Sequence, residues 1–188
     1  PAAIEHAKAA FHSVPTYSAF GARIHIMIMR LYFSQRQVDD AMATFGMAHR
    51  AILWSVGEHH PLYGNLFAVV ADMYYEHNSL GDAIDALNKA CHTIDKILGS
   101  SHLLSTALSA KLGTLISVLG DSNQALQLYE RVLGAYDKAI KHGVNAELEL
   151  AAVEASLAAM HAKGKDLRHA LEYAQKCMQR REAKLPFD

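Results

Sequence analysis

Three alanines, Ala41, Ala83 and Ala125, recur at a spacing of 42 residues, each opening a matching apolar helical pattern, and a fourth, Ala170, follows after 45. A fixed period of roughly 20 to 50 residues marks stacked supersecondary units, each unable to bury its apolar face alone. The chain is therefore expected to fold as an array in which neighbours share a continuous core.

Other columns repeat with the alanines. The first helix of each unit carries Ile24, Leu66 and Leu108, then Ile28, Val70 and Leu112, then Leu31, Met73 and Leu115, then Tyr32, Tyr74 and Ile116. Within a unit these fall at i, i+4, i+7 and i+8, one stripe of an α-helix. A second helix aligns Phe45, Leu87 and Tyr129, then Ala48, Ala90 and Val132, then Ile52, Ile94 and Tyr136. A fourth unit keeps Val153, Leu157, Met160 and Ala170, with its extra residues assigned to 141–147 and 163–165.

The breaks repeat too. Asn78 and Gly120, also 42 apart, precede second helices, where a residue in the left-handed region closes the helix before; Gly does this best and Asn next. Asp39, Asp40, Asp82, Asp121 and Asp166 supply acceptors or favourable charge near helix starts. Between units, Gly57-Glu-His-His-Pro61 matches Gly99-Ser-Ser-His-Leu103, so Gly ends the long helix and a His precedes the next.

Composition narrows what such an array does. Of the 188 residues, 51% are hydrophobic, enough for a continuous core and unlike a disordered chain. Eighteen basic against nineteen acidic residues leave a formal charge of −1, with no long-range field for nucleic acid or an anionic membrane. Apolar runs fall short of the ~20 residues that span a bilayer: the segment 24–33 is broken by His25 and Arg30. The opening residues lack a signal-peptide pattern, and Cys91 and Cys177 lie far apart in apolar helical patterns, which fits a reducing, cytoplasmic setting. Residues 4–11 read as the back half of a second helix, so the chain is expected to be a segment of a longer protein.

The run 73–83 (MYYEHNSLGDA), with the helix end 94–99 (IDKILG) and the pair His60-Pro61, resembles the 42-residue tetratricopeptide (TPR) repeat of kinesin light chains and their relatives. The resemblance covers nearly the whole chain. It implies an all-α fold, a right-handed solenoid of antiparallel helix pairs whose first helices line a concave, peptide-holding groove. The units then run over 19–57, 61–99, 103–143 and 146–184, together one TPR domain, with 1–12 the end of a preceding repeat helix. In the family, two adjacent asparagines grip peptide backbones from the groove; the matching positions here are Ile26-Met27, Ala68-Val69 and Ala110-Lys111. An asparagine ladder, and the acidic tryptophan-containing cargo of kinesin light chains, are therefore not expected.

The implied groove floor comprises Ile26, Met27, Arg30, Ala68, Val69, Asp72, Ala110, Lys111 and Thr114. A mostly apolar floor with a few charges suits an amphipathic partner helix better than an extended polar peptide; a flanking helix of the same protein is the alternative occupant. Trp54 stands where the other units have Lys96 and Lys138. It reads either as cover for a preceding hairpin or as an interface anchor.

The chemistry of enzymes is not legible. Twelve histidines are present, but there is no HExxH and no zinc-finger spacing, and His59, His60 and His102 fall in corresponding loops. Phosphate loops, GxSxG and paired carboxylates in a recognisable context are missing. Cys91 aligns with His49 and Leu133, a packing position, and the basic stretches 138–142 and 176–184 read as solvated helix faces near helix C-termini. The expected function is a non-catalytic interaction scaffold without cofactor or metal. It would bind a protein, peptide or amphipathic helix, but neither nucleic acid nor membrane, within a cytoplasmic, cytoskeletal, motor or trafficking protein. The alternatives are the helical C-terminal lobe of a SET-and-MYND type lysine methyltransferase, and a homo-oligomeric scaffold joined through the first hairpin.

Overall fold

The computed structural model describes residues 4–6, 9, 15 and 17–184. Residues 4–6 and 9 are helical; the other positions of the expected leading helix over 1–12 lie outside the described residues. From residue 17 onward the described chain forms eight α-helices: α1 (Ala19–Ser34), α2 (Val38–Ser55), α3 (Pro61–Glu76), α4 (Leu80–Leu98), α5 (Leu103–Leu119), α6 (Ser122–Lys141), α7 (Glu147–Lys163) and α8 (Leu167–Glu182). They group into two compact units, Pro1–Ile97 and Leu98–Asp188.

Local chemistry starts and stops these helices at repeating places. Ser18 caps α1, its hydroxyl accepting from the Gly21 N–H at 2.9 Å. At the same column His60 and His102 cap α3 and α5, each accepting a backbone N–H, of Leu62 and Leu104 respectively, on Nδ1 at 3.1 Å. The His before α3 and the His before α5 are thus N-caps, each satisfying a donor that the helix leaves open. Asp121 and Asp166 do the same for α6 and α8 through the N–H groups of Gln124 and His169. Within each helix pair the turn passes through one left-handed residue: Arg36, Asn78, Gly120 and Lys165, at φ of 60°, 60°, 104° and 62°.

In the first unit α1 packs on α2, and α3 packs on both. The anchors Ala41 and Ala83, the pairs Ala48/Ala90 and Ile52/Ile94, and Leu66 are fully buried. Complete burial of an Ile or Leu side chain stabilises by about 1.5–3 kcal/mol, so this stripe, more than helix propensity, holds the helices in place. Close packing of α3 on α4 depends on Gly64, where a Cβ would stand 2.7 Å from Cγ1 of Ile94. Beside it lies an aromatic cluster. His49 stacks on Phe45 with ring centroids 5.8 Å apart and tilts against Tyr63 at 5.6 Å. Lys89 of α4 sets its ammonium 4.4 Å from the Phe67 ring centroid.

In the second unit α5 packs on α6, α7 on both, and α8 on α7. Ala125, Tyr129, Val132, Leu150 and Leu157 form its centre. Cys177 occupies the column of Ala48, Ala90 and Val132 and is buried like them, which fits the packing role of a small apolar side chain.

One expectation fails here. Arg180, within the basic stretch read as a solvated helix face, reaches from α8 to the buried Glu154 of α7, its Nε donating to both carboxylate oxygens at 3.0 and 3.2 Å. Its other nitrogens pair with Glu147 and, at 3.7 Å, Asp137. A guanidinium fork can serve several carboxylates at once, which explains why this basic residue is spent on packing.

Candidate interaction cleft

The first helices of the first unit, α1 and α3, border a cleft of about 600 Å³. Met27 and Arg30 of α1 line it, one turn apart, and their equivalents 42 residues on, Val69, only 4% exposed, and Asp72, line it from α3. Met27 is 58% exposed although Ile26 beside it is only 4% exposed, because adjacent helical positions point about 100° apart. The segment 24–33 therefore buries one side and presents Met27 and Arg30 on the other. Phe33 and Tyr75, again 42 apart, also line the cleft, together with Glu76.

The lining combines two flexible thioethers, Met27 and Met73, two aromatic rings and aliphatic side chains with one cation, Arg30, and two carboxylates, Asp72 and Glu76. Thioethers adapt to irregular apolar partners, and sparse charges of both signs orient an amphipathic guest.

Of the other expected floor residues, Ile26 is packed inside and Ala68 is half-buried, while Ala110, Lys111 and Thr114 lie on α5, the first helix of its pair, in the second unit. The Thr114 hydroxyl is engaged by its own hairpin, 3.1 Å from the Ala110 carbonyl and 3.0 Å from the Tyr129 hydroxyl. Phe33, Tyr75 and Glu76 are cleft residues that sequence reasoning missed; the 42-residue aromatic match of Phe33 and Tyr75 was the available signal. Trp54 is 81% exposed, its ring centroid 6.4 Å from that of Tyr17; the hairpin it was expected to cover falls outside the described residues.

Among the described residues, no helix is long and apolar enough to cross a membrane. Among the same described residues one group, His161, Asp166 and His169, brings together three side chains that could ligate a metal ion.

Adjacent helix pairs recurring every 42 to 45 residues, with a left-handed residue closing each first helix, define a TPR-like fold. Solved structures share it. BtubC (BKLC) from P. vanneervenii is similar with a TM-score of 0.75 and 17% identity over 89% of this chain, which spans 65% of that protein. A putative kinesin light chain from Podospora anserina, described by its nearly identical TPR-like repeats, gives 0.74 and 16% over 98% of this chain and 88% of that one. The MamA protein gives 0.62 and 16% over 99% and 86%. No protein-family model matches the chain. No curated protein matches it either.

Proposed function

We propose that this chain is a non-catalytic scaffold that receives the apolar face of a partner helix in the α1/α3 cleft. The observation that carries this reading is the cleft itself: Met27, Arg30, Val69 and Asp72 converge on one open, largely apolar space between first helices. TPR-like arrays commonly serve as protein-binding scaffolds. Met27 and Val69, standing where the light-chain family has asparagines, favour anchors at i, i+3, i+4 and i+7 of a helix over an extended backbone. A pre-packed cleft adds affinity by sparing the receptor the cost of ordering. The likeness to a putative kinesin light chain supports a place in a larger cytoplasmic protein of motor, cytoskeletal or trafficking type.

Selection of helical peptides from a display library against the chain, followed by titration, tests the reading. Met27→Glu and Arg30→Glu alter exposed side chains, so melting is expected to stay within a few degrees while affinity falls roughly tenfold or more. Selected peptides that bind both variants like the parent would remove the cleft as the docking site.

A second reading rests on Trp54, Tyr17 and Phe20, three large exposed side chains of the first hairpin region: self-association through that hairpin. Light scattering at two concentrations decides it, and a parent chain that stays monomeric at both ends this reading.

A further inference from the structure

We propose that His161, Asp166 and His169 form a site for one divalent transition-metal ion of the zinc, cobalt or nickel kind. His161 lies near the end of α7, Asp166 is the N-cap of α8, and His169 is in the first turn of α8. The turn between them is fixed by the Asp166 N–H bonded to the His161 carbonyl at 2.9 Å and the Lys165 N–H bonded to the Ala162 carbonyl at 3.1 Å. Oδ1 of Asp166 accepts the His169 N–H at 3.3 Å, so the carboxylate is held and Oδ2 is turned to both imidazoles. Nδ1 of His169 stands 2.7 Å from Oδ2 and Nδ1 of His161 stands 3.3 Å from it.

Three potential ligand atoms, one from each residue, lie within 4.8 Å of one another. A tetrahedral ion with bonds of about 2.0–2.2 Å requires ligand atoms roughly 3.3–3.6 Å apart, so the 2.7 Å contact of His169 with Asp166 opens on binding while the 3.3 Å contact of His161 already fits. Two imidazoles and one carboxylate suit borderline ions, whereas calcium and magnesium prefer all-oxygen sets. The His161 ring is backed by Tyr173, stacked at 5.6 Å with an interplanar angle of 17°. The more exposed side chains of Asp166 and His169 leave the remaining coordination position open to solvent.

The repeat supplies an independent observation. At the column of His161 the other units carry Tyr32, Tyr74 and Ile116; at that of His169 they carry Asp40, Asp82 and Gln124. At the column of Tyr173 stand Thr44, Ala86 and Leu128. Helix capping accounts for Asp166, as it does for Asp121 in the unit before. It does not account for an imidazole in a column filled elsewhere by tyrosine and isoleucine; the second imidazole is hydrogen-bonded to Asp166 through Nδ1, and an ion would take the place of that bridging proton.

Titration of the 188-residue chain with Zn²⁺ by calorimetry, and with Co²⁺ followed by its visible absorption, tests the site. The expected result is one ion per chain, with tetrahedral cobalt bands. His161→Ala and Asp166→Asn are expected to weaken binding by roughly tenfold or more. His92→Ala, at an exposed histidine elsewhere, leaves it unchanged. Asn is as good an N-cap as Asp, so Asp166→Asn keeps the helix start and separates ligation from folding; His169→Gln provides a second such variant. Failure to observe saturable binding of one ion would overturn the proposal, as would binding undiminished in folded Asp166→Asn and His169→Gln.

Discussion

Arg36 holds a backbone φ of 60°, in a region that β-carbon-bearing residues enter at a cost of about 1–2 kcal/mol. Glycine enters it freely, so Arg36→Gly is expected to stabilise the chain by up to about 1 kcal/mol in urea unfolding, the gain being trimmed by the greater freedom of glycine in the unfolded state. An unchanged or lower midpoint would show that the Arg36 side chain contributes more than its backbone costs. The column was legible at Asn78 and Gly120, whose residue types favour this conformation, and hidden at Arg36 and Lys165, exposed residues carrying no local signal, where the turn is closed by the Gln37 N–H to the Tyr32 carbonyl and the Asp166 N–H to the His161 carbonyl. Histidine capping was half-visible: the recurrence of His60 and His102 could be read, but the Nδ1 acceptor role needed coordinates. His102→Ala is expected to cost about 1 kcal/mol and His102→Ser to restore most of it; equal melting of the two variants would contradict the cap. Gly64→Ala drives a methyl toward the buried Ile94 and Ala90, with an expected loss of about 1–3 kcal/mol in thermal unfolding.

Between elements, the α7/α8 contact is tied by Arg180 to Glu154, whose side chain is nearly inaccessible. Removing the guanidinium leaves a buried carboxylate without its partner. Arg180→Ala is therefore expected to cost about 3 kcal/mol, near the lower end for buried pairs because Arg180 itself keeps some access to water. Replacing both residues, Glu154→Leu with Arg180→Leu, is expected to recover much of that loss, and a double variant no better than Arg180→Ala would contradict this account. The apolar stripes that stack the helices were readable because they repeat every 42 residues along the chain. The ion pair was not, since its members stand 26 residues apart and neither recurs in other units. Charged residues on a helix have a solvated face as their default reading, and only packing reveals the exception.

At the scale of the molecule, acid acts on the first unit through histidine. Burial holds His25 below its ordinary pKa of 6.5, and burial followed by the nearby Lys89 ammonium does the same to His49. Both groups contribute stability that is complete above 6.5, where folded and unfolded chains alike are neutral. That stability is lost as pH falls from 6.5 toward the depressed folded values, because the unfolded chain takes up protons first. The melting temperature is expected to drop as pH falls below 6.5, and less steeply in His49→Phe, which keeps the aromatic packing without the titrating ring. Function was legible to a similar depth. The repeat located first helices, and Met27, Arg30, Val69 and Asp72 meet at one cleft, but the sequence could not show that Ile26 turns inward or that the Thr114 hydroxyl is held by Tyr129. The claim that the cleft seats a partner helix is tested most directly by methyl NMR of the chain titrated with a selected helical peptide. The account predicts that the Met27 and Val69 methyl resonances shift and saturate together with binding; shifts confined to the neighbourhood of Trp54, with Met27 and Val69 unmoved, would contradict it.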